Sequence, residues 1–207
     1  MACDSGCASL QRLHLEAGNV FLPFFLFFCF FNVIRRTVCP QQDICPENTA
    51  VQAEIVDQHN AFRRAVQPTA SDMLEMNYSE EVAANAQAWV DKCILAHGAP
   101  STRMINGYEL GENLFYSSSP YPWTDVVGAW HSEVSHYLYP NGSTNGGTIG
   151  HYTQVVWNSS YRVGCGMTLC PNNIYFYGCH YYRAQPLSLY KQLHQLSNLE
   201  SQGGMRQ

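Results

Sequence analysis

Two histidines and two glutamates stand out in this sequence, because imidazole and carboxylate groups can bind divalent metals and transfer protons. They are His97, Glu112, Glu133 and His151, and each lies beside a predicted helix end or a glycine turn. A single histidine on an apolar element is most often a buried structural residue. These four residues therefore form a site only if the fold brings them together.

The segment around His151 predicts a β-strand. In residues 151–157, Thr, Val and Trp occupy every second position, which is the period of a half-buried strand. Further strands are expected near 162–168 and 174–182. His151 would then lie at the start of its strand, directly after Gly150, where the ring can face a cleft.

Three amphipathic helices are predicted upstream of these strands. The first begins at a capping box formed by Thr49 and Gln52, the second begins after Ser79, and the third begins near Trp123. Helices followed by strands that carry hairpin signals predict the α+β class.

The helical period also assigns individual side chains. His59 lies on the apolar face of the first helix and is predicted to be structural. The third helix is expected to continue past Glu133, with Val134 and Tyr137 on its inner face. Glu133 would then lie at the edge of that face, where its carboxylate can reach a cleft.

The composition restricts the class of partner. The net charge is −5, charged residues make up 13% of the chain, and no stretch is rich in Lys or Arg. Nucleic acid is therefore not an expected partner. The central region of ~135 residues is long enough to bury one hydrophobic core.

The first 46 residues differ in character from the rest. Val20–Phe31 is almost wholly apolar, and seven of its twelve positions are Phe. Extended to Ile34, the run would span ~22 Å as a helix, less than the ~30 Å hydrocarbon core, so no stable membrane span is expected. The length suits a signal peptide, although Arg35 and Arg36 follow the apolar run. A sequence foreign to the natural protein and an uncleaved anchor remain the alternatives.

Cysteines and sequons indicate an oxidising, extracellular compartment. Outside the leader the even number of cysteines favours disulfides, and one C-x4-C spacing without a second pair argues against a zinc knuckle. Spacing alone leaves three pairings open. The residues concerned are Cys93, Cys165, Cys170 and Cys179, with N-glycosylation sequons at Asn77, Asn141 and Asn158.

Several sequence blocks resemble those of one protein family. Gly150–Trp157 is similar to the signature of the CAP superfamily, which includes the sperm-coating and antigen-5-like proteins. Four more blocks occur in the family's order, and Pro68–Leu74 narrows the resemblance to the cysteine-rich secretory proteins. The four blocks are His59–Arg63, Leu95–His97, Gly111–Phe115 and Trp130–Glu133.

The resemblance implies a fold and a domain organisation. It implies a three-layer αβα sandwich in residues 47–184, which follow the apolar leader described above at 1–46. Residues 185–207 form a short tail where the family usually has a hinge and a cysteine-rich domain, so we expect a truncated member of this type. The implied disulfides are Cys93–Cys170 and Cys165–Cys179. A third family disulfide would join the positions of Leu110 and Tyr182, which we expect to pack together instead.

In the family, the positions that correspond to the two histidines and two glutamates line one cleft. We expect His97 and His151 to bind a divalent cation, zinc above all, with Glu112 and Glu133 as outer ligands or orienting groups. Two nitrogen ligands predict modest affinity, which falls with pH because protons compete for imidazole. A polar scaffold without metal is one alternative. A hydrolase is the other, although no Gly-x-Ser-x-Gly elbow supports it.

The resemblance implies a secreted, non-enzymatic and monomeric glycoprotein that binds an extracellular protein or a cell-surface receptor. Reproductive signalling is one context that the family implies. Ion-channel modulation, as in venom relatives, is an alternative that the missing cysteine-rich domain weakens. Sterol or lipid binding and a protease-like role are further alternatives. The aromatic segment 115–123, expected to be loop-like, is either a lid over the cleft or a contact surface.

Overall fold

Four α-helices and eight strands build the described part of the chain, which comprises Cys39 and residues 41–183 of a computed structural model. Short 3₁₀ turns occur at Gln42–Ile44, Pro100–Thr102, Ser132–His136 and Pro171–Asn173. The helices are α1 (Thr49–Arg64), α2 (Glu80–Val90), α3 (Trp123–His131) and α4 (Gly150–Val155).

The strands form one four-stranded sheet and two small hairpins. The sheet has the order β1-β7-β8-β4, with β1 parallel to β7 and the other neighbours antiparallel. The hairpins are β2-β3 and β5-β6. The bounds are β1 (Asn77–Tyr78), β2 (Met104–Ile105), β3 (Tyr108–Glu109), β4 (Gly111–Ser117), β5 (Tyr137–Leu138), β6 (Gly142–Ser143), β7 (Arg162–Cys170) and β8 (Ile174–Tyr182).

Helices cover both faces of this sheet. Because side chains alternate along a strand, Tyr177 and Tyr181 of β8 join the core that α1 and α3 cover, while Phe176 packs against Val90 of α2 on the other face. The α+β class and the three-layer αβα sandwich are therefore confirmed. β4 is an edge strand of the sheet, so residues from both helical layers can meet beside it.

Helix α2 lies very close to the sheet because glycine faces it on β7. A Cβ atom added at Gly164 would lie 2.0 Å from the backbone nitrogen of Ala83. No side chain fits in that space, so the backbones of α2 and β7 are in direct contact.

The predicted helix starts are partly right. Ser79 caps α2 through a hydrogen bond from the backbone N–H of Val82, and α3 begins at Trp123 as expected. The capping box of Thr49 and Gln52 is wrong, because the side chain of Asn48 caps α1 instead.

The third helix is shorter than its pattern suggests. It ends at His131 and is followed by the 3₁₀ turn Ser132–His136, so Glu133 lies in that turn. Val134 is 38% exposed, which contradicts its predicted inward position. Tyr137 is half-buried and belongs to the hairpin strand β5.

The strand predicted at residues 151–157 is wrong. The segment forms α4, and Tyr152, Thr153, Gln154 and Val155 are all buried. The residue types alternate along this segment, but burial does not, because four consecutive side chains are buried. The alternation of residue types was therefore not a sign of a half-buried strand. The other two predicted strands are present as β7 and β8.

Strand β4 occupies a place where part of the chain was expected to be loop-like. It includes Phe115 and Tyr116 and pairs along its whole length with β8. Phe115 makes edge-to-face contacts with Tyr121 and Tyr177, so the aromatic groups of this segment partly pack on the sheet.

Disulfides link distant parts of the fold. Both predicted pairings are present: Cys93–Cys170 joins the end of α2 to the end of β7, and Cys165–Cys179 joins β7 to β8. Leu110 is fully buried and Tyr182 packs against its cluster, as expected for the site of the lost third bridge.

A short segment before residue 47 packs on the domain. A third disulfide joins Cys39 to Cys45, Ile44 is buried, and the indole N–H of Trp123 donates to the Ile44 carbonyl oxygen. Of the predicted leader at 1–46, the structure describes Cys39 and residues 41–46. The rest of the leader, which contains the predicted signal peptide, and the tail at 185–207 lie outside the described residues. Within the described residues, no helix is both long and apolar enough to cross a membrane.

Candidate functional site

The first half of the site forms where the loop after α2 meets strand β4. Nδ1 of His97 lies 2.8 Å from Oε1 of Glu112, and the backbone N–H of Gly98 donates to the same oxygen at 2.9 Å. The His97 side chain is 62% exposed, whereas that of Glu112 is 1% exposed. A buried carboxylate therefore holds an imidazole ring that faces solvent.

Arg103 holds the loop that carries His97. Its guanidinium donates to the carbonyl oxygens of Gly98 and Leu110 and pairs with Glu109 at 3.0 Å. The loop is thereby attached to the residues just before β4, and the position of His97 relative to Glu112 is restricted.

A third histidine, which the sequence analysis did not identify, completes this half of the site. His180 of β8 is fully buried, and its Nε2 lies 3.0 Å from Oε2 of Glu112. Its Nδ1 lies 2.7 Å from Oδ1 of Asn85 in α2. The residues of 174–182 were predicted to form a strand, but no local signal identified the strand that would lie beside Glu112.

These contacts keep Glu112 ionised. Burial on its own favours the neutral acid, but hydrogen bonds from His180, His97 and the backbone of Gly98 outweigh it and lower the pKa of Glu112 to about 2. The carboxylate is therefore an acceptor at neutral pH, and the nitrogens that face it carry hydrogens.

The second half of the site is built around the start of α4. Oε1 of Glu133 lies 2.7 Å from Nδ1 of His151, and Oε2 accepts hydrogen bonds from the backbone N–H groups of His151 and Tyr152. Burial raises the pKa of Glu133, but these hydrogen bonds lower it more, so the net shift is downward. The glutamate both caps the helix and orients the histidine.

The interior below the site is a polar network. His59 donates from Nδ1 to the Ile55 carbonyl, so its Nε2 accepts from the hydroxyl of Tyr181. Burial lowers the pKa of His59 to about 4, which keeps the ring neutral and confirms its structural role. The amide of Asn113 donates to that hydroxyl and to the His151 carbonyl, which links β4 to α4.

Helix α4 approaches β4 closely at Gly111. A Cβ at this glycine would lie 2.1 Å from Oε1 of Gln154. The segment Gly111-Glu112-Asn113 therefore serves three purposes: the glycine admits α4, the glutamate faces His97, and the asparagine faces the α4 layer. Asn113 and Gln154 are both buried, and their side-chain amides hydrogen-bond within the fold, so both act as structural residues.

The two histidines of the site approach each other across the edge of the sheet. Their ring centroids are 6.5 Å apart and their planes are inclined by 31°. A zinc ion ~2.1 Å from two imidazole nitrogens, bound at a tetrahedral angle, places the ring centroids roughly 5–5.6 Å apart, so the two rings would move closer by about 1 Å to hold the ion. In both rings the carboxylate contacts engage Nδ1, which leaves Nε2 as the ligand atom. The donor set thus fits a two-nitrogen site with an open coordination shell.

One other group resembles a metal site by proximity alone. Cys39, Cys45 and Glu47 place their ligand atoms within 4.8 Å of one another. The two sulfur atoms are joined in a disulfide, and zinc binds thiolates, so this group does not fit a metal.

The sequons differ in their surroundings. Asn141 is exposed beside the β5-β6 hairpin, and Asn77 is exposed in β1. Asn158 is half-buried, and its amide donates to Asp72 at 3.1 Å. Asn141 and Asn77 therefore offer the more accessible side chains.

Solved structures resemble this fold. The crystal structure of Na-ASP-1 is 28% identical over 72% of this chain and 43% of that protein, with a TM-score of 0.56. The crystal structure of NaASP2 with Zn²⁺ is 25% identical over 71% of this chain and 85% of that protein, with a TM-score of 0.55. Venom allergen-like protein 4 of Schistosoma mansoni shares the fold at 24% identity, a TM-score of 0.55, and coverage of 67% of this chain and 97% of that protein.

The chain spans less than half the length of Na-ASP-1 and most of the other two proteins. The family model described as CAP, cysteine-rich secretory protein family, matches residues 56–181, which is more than half of the sequence and includes His97, Glu112, Glu133 and His151. With its three-layer fold, this match shows that the chain belongs to the CAP family.

Proposed function

We propose that this chain is a secreted, non-enzymatic CAP-domain protein that acts by binding, and that its cleft holds a zinc ion between His97 and His151. One observation carries the metal site: both rings are oriented through Nδ1 by an ionised carboxylate, which leaves both Nε2 atoms as donors, and the two ring centroids are 6.5 Å apart.

The carboxylates act on the histidines and not on the ion. Each accepts a hydrogen bond from Nδ1, which fixes the tautomer that leaves Nε2 unprotonated and makes the ring a stronger donor to a cation. Because only two nitrogens would bind, the affinity is modest and the fold does not depend on the ion. The similarity to NaASP2, whose crystal structure is described as being with Zn²⁺, supports this proposal.

Secretion is supported by the covalent chemistry of the chain. Three disulfides cross-link the described residues, and such bonds persist in oxidising compartments. The exposed sequons at Asn77 and Asn141 suit the same compartment and the glycoprotein assignment. The partner we propose is an extracellular protein or a cell-surface receptor.

A binding role fits the site better than hydrolysis does. Ser135 lies two residues after Glu133 and is a conceivable nucleophile, but its hydroxyl donates to the backbone carbonyl of Ser132. Nucleophilic catalysis requires a hydroxyl that is hydrogen-bonded to a general base. Orientation of Nδ1 by a carboxylate suits metal ligands and general bases alike, so what disfavours hydrolysis is the Ser135 hydroxyl, whose hydrogen-bond partner is a backbone carbonyl and not a histidine.

Calorimetric titration of the purified full chain with zinc chloride at pH 7.5 tests the metal site. We expect one ion to bind the parent protein, and the double variant His97→Ala/His151→Ala to bind at least tenfold more weakly. His136→Ala is the matched control, because this exposed histidine lies outside the cleft and contacts Asn145. Equal zinc affinity in the parent and the double variant would refute the site.

A further inference from the structure

We propose that His180 is a positioning residue of the zinc site: it holds the buried carboxylate of Glu112 so that the carboxylate aims His97 at the ion. This inference rests on the proposed zinc site. It assigns a role to a residue that lies in neither of the two histidine–glutamate pairs and that touches Glu112 from within the sheet.

The register of the sheet creates this contact. Glu112 of β4 and His180 of β8 lie directly opposite each other, so their side chains project from the same face of the sheet. On the other side of β8, His180 faces Gly164, which has no side chain to compete for the space. Asn85 of α2 contacts the second ring nitrogen, and the imidazole is thereby held on two sides.

The two oxygens of Glu112 have separate partners. Oε1 receives hydrogen bonds from His97 and from the backbone of Gly98, whereas the side-chain partner of Oε2 is His180. The carboxylate is 1% exposed, so water cannot readily replace a lost partner at Oε2. Without His180 the carboxylate would have to turn to satisfy Oε2, and Oε1 would then leave its place opposite His97.

In the other half of the site, the two oxygens of Glu133 also have separate partners. Oε1 of Glu133 orients His151, and Oε2 is held by the backbone N–H groups at the start of α4. Among the residues that the structure describes, Glu112 has no hydrogen bond from a helix N-terminus; its backbone donor is Gly98 in the loop after α2. His180 supplies from a side chain what the backbone of α4 supplies to Glu133.

The dependence of His97 on this arrangement is strong because the ring itself is mostly exposed. Its described contacts are the hydrogen bond to Glu112 and the approach to His151. A change at His180 therefore affects zinc through the orientation and the tautomer of His97, and not through direct coordination.

The experiment compares zinc affinity, by calorimetry with zinc chloride at pH 7.5, in the parent chain and in variants at His180. His180→Leu removes the donor to Glu112, the hydrogen-bond partner of His97, and should weaken binding by about 10-fold, the lower end of the 10- to 100-fold range for loss of a ligand's own partner. His180→Gln can place an amide N–H near the position of Nε2 and should keep the affinity within about threefold of the parent. His180→Asn, whose amide is too short to reach Glu112, should behave like the leucine variant and replaces it if that variant does not fold.

Phe176→Leu is the matched control, since Phe176 is buried on the same strand and the same face but packs against Val90. We expect this variant to lose about as much melting temperature as His180→Leu does and to bind zinc as tightly as the parent chain. Nitrogen NMR of the His97 ring provides a readout that needs no zinc: the parent should show one tautomer with hydrogen on Nδ1, and His180→Leu a mixture.

The outcomes separate the two proposals. A parent chain that binds no zinc contradicts the metal site, and the NMR result then decides the role of His180 alone. A parent that binds zinc and a leucine or asparagine variant that binds it equally well, with His97 still in one tautomer, would overturn the positioning role.

Discussion

At the scale of single residues, the chemistry of the cleft depends on which atoms are already engaged. Glu112 and Glu133 use their oxygens to hold imidazole Nδ1 atoms and backbone amides, so they orient the two histidines. The sequence identified these residues as a possible site. Which of them orient their neighbours and which keep a free donor atom could be decided only from the hydrogen bonds of the structure.

Ionised Glu112 should stabilise the fold at neutral pH, and the free energy of unfolding should fall as this carboxylate is protonated in acid. Its pKa of about 2 lies below the ordinary value of 4.5, so its ionised form stabilises the folded state above pH 4.5, and this contribution is lost as the pH falls towards 2. We expect Glu112→Gln to lower the free energy of unfolding by roughly 2–3 kcal/mol at pH 6, with the difference from the parent shrinking between pH 4.5 and 2. Urea denaturation at several pH values measures this.

The exposed Glu75 provides the control for this experiment. It pairs with Arg64 at the surface, and Glu75→Gln should change stability by no more than about 0.5 kcal/mol. A Glu112→Gln variant whose deficit stays constant from pH 6 to pH 2 would show that the carboxylate contributes through packing and not through its charge.

Two adjacent arginines in α1 offer a second comparison. Arg63 is buried and donates to the carbonyl oxygens of several turns, while its neighbour Arg64 is exposed. Burial lowers the pKa of Arg63 to about 10, so it remains charged at neutral pH. The carbonyl acceptors belong to Leu74, Val155, Trp157, Asn158 and Ser160.

Lysine cannot reproduce the planar fork of guanidinium donors. We therefore expect Arg63→Lys to lower the free energy of unfolding by about 2–3 kcal/mol, because carbonyls at the end of α4 and in the following turn lose their donors. Arg64→Lys should change it by less than about 0.5 kcal/mol. Urea denaturation of both variants at pH 7 is the measurement, and equal effects would show that Arg63 does not hold these turns.

At the scale of elements, strand β4 connects the two halves of the site. Glu112 faces the layer of α2, and the next residue, Asn113, faces the layer of α4. Alternation along one edge strand thus sends neighbouring side chains to two different histidines. This explains how residues from both helical layers reach one cleft.

The contact between α2 and β7 can be tested by adding one carbon. Gly164→Ala would place Cβ against the backbone of Ala83, which cannot move without shifting α2. We expect a loss of about 3 kcal/mol or more, measured by thermal unfolding. Gly128→Ala in α3 is the control, since open space surrounds its Cβ, and it should be neutral or stabilising by up to about 1 kcal/mol.

A Gly164→Ala variant as stable as Gly128→Ala would mean that α2 is not packed directly on the sheet. It would also weaken the argument for His180, because Asn85 reaches that histidine from the same helix.

Sequence patterns predicted the elements with strong local signals. Ser79 with its following glutamates marked the start of α2, and the apolar spacing after Trp123 marked α3. Helix α4 was misread as a strand because it has only six residues and its burial comes from tertiary contacts, including the cap from Glu133. His180 was missed because its importance arises from the register between β4 and β8, which no local pattern specifies.

At the scale of the whole molecule, two helical layers meet at the edge of one sheet, and the candidate zinc site lies where they meet. Disulfides fix the ends of α2 and β7, and Glu133 fixes the start of α4, so the two histidines are positioned by the fold without help from a metal. The fold therefore does not depend on an ion, and removal of zinc should leave it intact.

The most direct test of this account is a crystal structure of the chain grown with zinc chloride, with diffraction recorded on both sides of the zinc absorption edge. The account predicts one strong anomalous peak between His97 and His151, about 2.1 Å from each Nε2, with Glu112 and Glu133 still bonded to Nδ1. An anomalous map with no peak between the two rings, or with zinc bound by the carboxylates while the histidines point away, would contradict it.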